Sequence, residues 1–162
     1  MNIGVITYNH PHLKTEQVVK AFSKYDFHLT LFALPFFPRN IRECAFNHRP
    51  FQFNAIPPHE LAERVHATIC ECRSDLDIYD GLDYYIITGA GLLSQECLKE
   101  KKIINCHPGL IPISRGLDAF KWSIYNNIPV GNTLHFIDNS IDEGHVIFRL
   151  PTVVYPNDTL ET

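Results

Sequence analysis

The chain has 162 residues, a length that predicts a single domain covering residues 1–162. Hydrophobic residues make up 45% of it and charged residues 20%, which is typical of globular proteins and excludes a disordered or collagen-like chain. The formal net charge is −4, whereas nucleic-acid-binding domains usually carry an excess of basic residues. We therefore expect small-molecule substrates and no nucleic acid. The five cysteines are irregularly spaced, and neither a signal peptide nor an apolar run long enough to span a membrane is visible. These features favour a soluble, cytoplasmic protein.

Strand-like and helix-like segments alternate along the chain. Strands are predicted at 2–7, 27–34, 82–88, 101–105, 133–137 and 145–154, and helices from 15 onward and over 58–72, 94–100 and 118–126. Residues 35–58 combine prolines with aromatic side chains and show no clean period, so we expect an irregular excursion there. The alternation predicts an α/β fold, with a mostly parallel central sheet and helices on both faces.

Polar residues follow the apolar strand that ends near Asn105. Ligands bind at the carboxyl ends of strands in open α/β sheets, so these residues are candidates for a site. His107 lies two residues after Asn105, on the same side of an extended chain, and can exchange a proton near neutral pH. Asp142, in a loop between two later strands, could orient the imidazole and favour its charged form. Taken singly, each has an ordinary structural alternative, such as a turn residue or a solvated loop charge.

Six short motifs then occur in a fixed order. They are Asn105-Cys-His-Pro108, Leu110-Ile-Pro112, Arg115-Gly116, Gly131-Asn-Thr-Leu-His135, Asp142-Glu-Gly144 and Asp158-Thr159. In this order they resemble the folate-dependent formyltransferase family, which includes glycinamide ribonucleotide, methionyl-tRNA and amino-sugar formyltransferases. The chain departs from the family at Gly109, where a serine is common. The resemblance implies a Rossmann-like formyltransferase fold.

The resemblance also implies the reaction, the transfer of a formyl group from 10-formyltetrahydrofolate, as co-substrate, to a primary amine. It makes Asn105, His107 and Asp142 the catalytic residues. Asn105, and His107 when protonated, would stabilise the oxyanion that forms when the amine adds to the formyl carbon. Asp142 would hold His107 in place and assist proton movement.

Two loops resemble the folate-contacting loops of the family. The residues that this resemblance implies in folate binding are Ala90, Gly91, Leu92 and Leu93 in the first loop and Asp138 and Gly144 in the second. The first loop could equally be an ordinary strand-to-helix turn. His135 matches the second histidine of the family, and either a direct role or packing beneath the site would explain it.

The identity of the acceptor amine depends on the N-terminal segment. The purine enzymes resemble one another in a glycine-containing phosphate loop after the first strand, whereas this chain has Thr7-Tyr-Asn-His-Pro-His-Leu-Lys14 there. The amino-sugar branch is therefore favoured, with a nucleotide-linked amino sugar of surface polysaccharide synthesis as acceptor. The candidate substrate contacts are Asn9, His10, Lys14 and Arg115. The aromatic rings of residues 35–58 could stack on a base or sugar face, or pack on the core as a flap.

Other functions stay open at this point. Glycinamide ribonucleotide formyltransferase is one alternative, and formyltetrahydrofolate hydrolase, which resembles the family in its catalytic residues, is another. A hydrolase with His107, His135 and Asp142 as metal ligands and a non-catalytic nucleotide-binding module are further alternatives, although we expect no metal. The oligomeric state is left undecided. Asp158-Thr-Leu-Glu161 has the form of a capping box for a helix that would extend past Thr162, so the C-terminal end is a candidate truncation.

Overall fold

The computed structural model describes residues 1–38, 51–138 and 142–158. The chain divides into two compact units, Met1–Lys101 and Lys102–Thr162. None of the helices in the described ranges is long and apolar enough to cross a membrane.

The first unit is a parallel α/β arrangement. Its elements are β1 (Asn2–Tyr8), α1 (Leu13–Phe22), β2 (His28–Leu34), α2 (Pro58–Arg64), β3 (Thr68–Glu71), a 3-10 turn (Asp75–Asp77), β4 (Tyr84–Ile87) and α3 (Gln95–Leu98). β1 pairs with β2 and β4, and β2 pairs with β3, all in parallel register. Parallel strands need crossover connections, and the helices supply them.

Alternate residues of the first two strands form the core of this unit. Val5 and Leu31 are fully buried and pack with Val19 of α1 and Leu61 of α2. On the opposite face the ring of Phe32 contacts the rings of Tyr79 and Tyr85, with centroids 5.0 and 6.1 Å away. Both faces of the strands are therefore covered, as their continuous apolar sequence predicts.

The second unit is an antiparallel meander with one helix. Its elements are β5 (Ile103–His107), α4 (Ala119–Tyr125), β6 (Val130–Phe136) and β7 (Val146–Thr152). β6 pairs antiparallel with both β5 and β7, and α4 lies against β6. The parallel pairs of the first unit outnumber these antiparallel pairs, so the predicted predominance of parallel pairing is confirmed.

One predicted helix is wrong in its second half. The sequence predicts a continuous helix over 58–72, but α2 ends at Arg64 and β3 begins at Thr68. His66 adopts a positive φ of 54°, which stops the helix, and the β-branched residues that follow pair with β2. The prediction of an irregular excursion holds for 35–38 and 51–57, which contain neither helix nor strand, while 39–50 lie outside the described residues. Thr159 and Glu161 of the predicted capping box also lie outside them.

Candidate active site

Two neighbouring strands position four polar side chains on one face of the second unit. In the β5–β6 register Asn105 is opposite His135, and His107 is opposite Thr133. Side chains alternate along a strand, and directly opposite residues share a face, so these four lie together. His107, Thr133 and His135 are buried, whereas Asn105 is partly exposed. Asn105 is therefore the member of this group most accessible to a substrate.

The carboxylate of Asp142 lies between the two imidazoles. Its Oδ2 atom is 3.3 Å from Nδ1 of His107 and accepts a hydrogen bond of 2.9 Å from the Gly116 N–H. Its Oδ1 atom is 3.6 Å from Nε2 of His135. The structure thus brings Asp142 and His107 together and adds His135 to the cluster.

Each imidazole uses its other ring nitrogen on a main-chain carbonyl. His107 Nε2 donates to the Ser114 oxygen at 3.1 Å, and His135 Nδ1 donates to the Phe136 oxygen at 2.9 Å. Carbonyl and carboxylate oxygens only accept, so each imidazole lies between two acceptors, and only a doubly protonated ring could donate to both. Nε2 of His135 is buried without a hydrogen-bond partner among the described residues. A proton added to this cluster would give the Asp142 carboxylate a donor.

The protonation of His107 is governed by two opposing effects. Burial lowers the pKa of His107 below its ordinary value, while the Asp142 carboxylate and the Ser114 carbonyl act in the raising direction. The net direction is downward, so the ring is mainly neutral near pH 7. A neutral ring between two acceptor oxygens is suited to accept a proton during a reaction.

Buried hydrogen bonds fix the loop that follows His107. The Thr133 hydroxyl donates to the Gly109 carbonyl at 2.7 Å and accepts from the Ile111 N–H at 3.0 Å. Arg149 of β7 donates from Nε to the Ile111 carbonyl at 2.6 Å. These contacts give the threonine of the Gly-x-Thr-x-His motif a structural role that the sequence pattern does not predict. The contacts of the Ser114 carbonyl and the Gly116 N–H are not predicted by the sequence either, although the Arg-Gly motif includes Gly116.

Gly144 allows the Asp142 loop to approach the end of β6. A Cβ atom at this position would lie 1.8 Å from the Phe136 carbonyl oxygen, a distance that no side chain can tolerate. The Phe136 N–H donates to the His145 carbonyl at 2.9 Å in the same place. This close approach explains why residue 144 is a glycine. Contact of Gly144 with folate stays a prediction. Asp138 is exposed, and the intervening residues 139–141 lie outside the described ranges.

Arg115, a predicted substrate contact, is paired with a neighbouring acid. Its Nη1 donates to Oε1 of Glu143 at 2.8 Å, and both side chains are 40–51% exposed. Exposed pairs of this kind contribute about 1 kcal/mol or less. An anionic substrate could therefore displace Glu143 at small cost, and the predicted anion contact stays a prediction.

The first predicted folate loop lies in the first unit. Gly91, Leu92 and Leu93 line a cavity of about 270 Å³, which is also lined by Arg73 and Asp75. Its volume is slightly below the range of about 300–1,000 Å³ that is typical of ligand pockets. The contacts of Ala90, Gly91, Leu92 and Leu93 with a folate stay predictions.

The predicted acceptor contacts Asn9 and His10 belong to an aromatic cluster of the first unit. The Asn9 side chain accepts a hydrogen bond of 3.1 Å from the Phe36 N–H. The His10 ring lies 4.6 Å from the Phe36 ring and 4.9 Å from the Phe53 ring, centroid to centroid. Phe53 is 40% exposed, so part of this cluster remains open to a ligand. Substrate contact by these residues stays a prediction.

A main-chain hydrogen bond already uses part of the N-terminus of α1, where Lys14 lies. The first N–H of this helix, on Leu13, donates to the Gln52 carbonyl at 2.8 Å. That contact uses one of the N–H groups that a phosphate would bind at a helix N-terminus.

The two imidazoles approach different oxygens of the Asp142 carboxylate. Among residues 1–38, 51–138 and 142–158, no group of three or more His, Cys, Asp or Glu could hold a metal ion.

Curated relatives resemble parts of the chain. The trifunctional purine biosynthetic protein adenosine-3 of Gallus gallus is 39% identical over 114 residues, which cover 66% of this chain and 11% of that protein. The phosphoribosylglycinamide formyltransferase of Bacillus subtilis is 39% identical over 62 residues, covering 38% of this chain and 32% of the enzyme. The chain thus spans about a third or less of the length of these relatives.

Solved structures match the fold over nearly the whole chain. Glycinamide ribonucleotide transformylase 1 from Symbiobacterium toebii superposes with a TM-score of 0.70 at 19% identity, covering 99% of this chain and 77% of that one. The formyltransferase PseJ from Anoxybacillus kamchatkensis, solved with UDP-4,6-dideoxy-4-formamido-L-AltNAc and tetrahydrofolate, gives 0.59 at 18% identity, with coverages of 99% and 65%. These matches confirm the Rossmann-like formyltransferase fold.

A family model also matches the sequence itself, over the stretch that contains the site. The model is described as formyl transferase and matches residues 76–162, which include Asn105, His107 and Asp142. The match covers more than half of the sequence, and the chain belongs to the formyl transferase family.

Proposed function

We propose that this chain transfers a formyl group from 10-formyltetrahydrofolate to a primary amine. The observation that carries the proposal is the Asp142 carboxylate 3.3 Å from the buried His107 imidazole, with Asn105 on the same face of β5. Such a cluster combines a hydrogen-bond donor for an oxyanion with a pair of groups that can hold a proton. Membership of the formyl transferase family supports the same chemistry.

Asn105 is proposed to stabilise the developing negative charge. The acceptor nitrogen attacks the formyl carbon, a carbon–nitrogen bond forms, and the formyl oxygen becomes negatively charged. The partly exposed Asn105 amide donates a hydrogen bond to this oxygen. Both ring nitrogens of His107 face protein acceptors, so we infer that His107 contributes mainly through its charge once it is protonated.

His107 and Asp142 are proposed to hold the proton that moves during the transfer. The attacking amine becomes positively charged and loses a proton to this pair, directly or through a water molecule. The proton then passes to N10 of the folate as the bond between the formyl carbon and N10 breaks, which yields tetrahydrofolate and the formylated amine. Replacing Asn105, His107 or Asp142 with alanine should therefore nearly abolish transfer while the fold survives.

For the acceptor, we propose a nucleotide-linked amino sugar of surface polysaccharide synthesis. The segment after β1 lacks the glycine of a phosphate loop, and the first N–H of α1 is engaged by the Gln52 carbonyl. The partly open ring cluster of His10, Phe36 and Phe53 is suited to stacking on a base. The competing acceptor is glycinamide ribonucleotide, which the similarity to the phosphoribosylglycinamide formyltransferase of Bacillus subtilis supports.

The test measures tetrahydrofolate formation from 10-formyltetrahydrofolate with each acceptor in parallel. We expect turnover with an amino-sugar nucleotide, little with glycinamide ribonucleotide, and none in the Asp142→Ala variant. Turnover with glycinamide ribonucleotide alone would overturn the proposed acceptor but retain formyl transfer. Formate release without any acceptor would instead favour a hydrolase. Glu60→Gln, which removes an exposed carboxylate from α2, is the matched control and should retain full activity.

A further inference from the structure

The loop between β5 and α4 supplies main-chain groups to both members of the proposed proton-holding pair. Nε2 of His107 lies 3.1 Å from the Ser114 carbonyl oxygen. The Gly116 N–H donates to Oδ2 of Asp142 at 2.9 Å. Because neither group belongs to a side chain, both are displaced only when the backbone of the loop is displaced. The geometry of His107 and Asp142 therefore depends on what holds this loop.

Ile111, in the middle of the loop, is fixed through both of its main-chain polar groups. Its N–H donates to the Thr133 hydroxyl at 3.0 Å, and its carbonyl accepts a hydrogen bond of 2.6 Å from Nε of Arg149. Thr133 of β6 and Arg149 of β7 are directly opposite each other in the antiparallel register. Directly opposite residues share a face of the sheet, so two neighbouring strands hold the loop from the same face.

The contact of Arg149 depends on a hydrogen-bond donor at one place in the side chain. Nε follows Cδ in arginine, and the amide nitrogen of glutamine occupies the same place, whereas lysine has a methylene group there. Arg149 is exposed overall, so a substitution does not remove a packed core side chain. Substitutions of Arg149 can therefore separate the hydrogen bond from the positive charge.

Resting on the formyl transfer proposed above, we propose that Arg149 is a positioning residue for His107 and Asp142. Its hydrogen bond to the Ile111 carbonyl fixes the loop, and the loop sets the positions of the main-chain groups that face the imidazole and the carboxylate. The effect of Arg149 on the reaction passes through these main-chain groups, and the charge of the guanidinium is not required.

The test compares three variants of Arg149 in the full chain. Arg149→Met removes the donor and the charge, Arg149→Lys keeps the charge, and Arg149→Gln keeps a donor in the place of Nε. Arg64→Met is the matched control, because Arg64 is an exposed arginine of α2 that pairs with Glu60. Each protein is assayed for formyl transfer, and the titration of His107 is followed by NMR without substrate. The His107 signals are assigned by their loss in His107→Gln.

The kinetic result expected is a loss of turnover that only glutamine avoids. Arg149→Met and Arg149→Lys should lower kcat about 10- to 100-fold, since misplacing a catalytic group by about 1 Å has an effect of this order. Their KM should stay within about threefold of wild type, because the position of His107 affects the transition state rather than binding. Arg149→Gln should keep kcat within about threefold, and Arg64→Met should match the wild type.

The NMR titration reports on the same contact without turnover. Burial lowers the pKa of His107, the Asp142 carboxylate and the Ser114 carbonyl raise it, and the His135 imidazole lowers it. Displacing the carbonyl should therefore lower the pKa of His107 further in Arg149→Met and in Arg149→Lys. Arg149→Gln and Arg64→Met should leave this pKa at its wild-type value.

Three outcomes would overturn the inference. A KM that rises while kcat is unchanged in Arg149→Met would make Arg149 a binding residue. Wild-type kcat in Arg149→Lys with a loss in Arg149→Gln would show that the charge acts and not the contact. An unchanged pKa of His107 in Arg149→Met would show that the contact does not reach the imidazole. If Arg149→Met does not fold, Arg149→Lys and Arg149→Gln decide between these results.

Failure of the proposed function is distinguishable from failure of this inference. A wild-type chain that transfers no formyl group would refute the proposed function. The NMR titration would still decide whether Arg149 positions the His107 imidazole, since it is measured without donor or acceptor.

Discussion

Replacing Asp142 with asparagine should show what the negative charge of this side chain contributes, because asparagine can make similar contacts without the charge. The remaining oxygen of the asparagine can still accept the 2.9 Å hydrogen bond from Gly116. The new amide can donate toward Nε2 of His135, which lies 3.6 Å from Oδ1 of Asp142 and has no partner among the described residues. We therefore expect the fold to survive, with a Tm within about 4 °C of wild type.

The charge of Asp142 should matter far more for turnover. When His107 accepts a proton, a unit positive charge forms 3.3 Å from the carboxylate. With an effective dielectric constant of about 20, their attraction is about 332/(20 × 3.3), or about 5 kcal/mol. Asparagine removes this attraction, and about 1.4 kcal/mol corresponds to a tenfold change in rate. The expected loss in kcat is therefore about 10³- to 10⁴-fold.

The assay is steady-state formyl transfer at saturating donor and acceptor, with thermal unfolding measured on the same samples. Glu60→Gln controls for the loss of one negative charge, because Glu60 pairs with Arg64 on the exposed surface of α2. A kcat for Asp142→Asn within about tenfold of wild type, with Tm retained, would refute the electrostatic role of Asp142.

Three further predictions follow from the same geometry. Asn105→Ala should leave Tm nearly unchanged, since the side chain is partly exposed, and should lower kcat by about 10²- to 10³-fold if Asn105 donates to the oxyanion as proposed. Normal turnover would exclude that role. Burial lowers the pKa of His107 in the folded chain. In the unfolded chain the pKa of this histidine is about 6.5, so just below pH 6.5 the unfolded chain binds more protons than the folded chain does. The free energy of unfolding should therefore decrease as pH falls below about 6.5, and His107→Gln should reduce this slope; an unchanged slope would contradict the lowered pKa. Burial also raises the pKa of Cys72 and of Cys97 to about 11, so mass spectrometry after brief alkylation of the native chain should find the exposed Cys106 modified before either of them.

Among the predicted site residues, those whose positions depend on strand geometry agree best with the structure. The two-residue spacing of Asn105 and His107 predicts that they share one side of a strand, and β5 has this arrangement. The ordered motifs predict that Asp142 pairs with His107, and the structure brings them within 3.3 Å. Both inferences use local periodicity or recognisable residue types, which a sequence displays directly.

The contacts made by main chain could not be predicted in the same way. The Ser114 carbonyl and the Gly116 N–H complete the surroundings of His107 and Asp142, yet any residue type carries these groups. The helix predicted over 58–72 failed for a related reason. Leu61 and Ile69 fit a helical spacing, but Ile69 pairs with Leu31 in a parallel ladder, and that long-range pairing decided the local structure.

The three proposed catalytic residues belong to the second unit, whereas the proposed acceptor contacts Asn9, His10 and Lys14 belong to the first. Under the proposed function, amino-acid changes that alter acceptor choice can accumulate in the N-terminal part without touching the groups that move the formyl unit. The family match, which begins at residue 76, fits such unequal divergence. Natural selection could thus generate enzymes for new amines from this scaffold while one inherited reaction centre is retained.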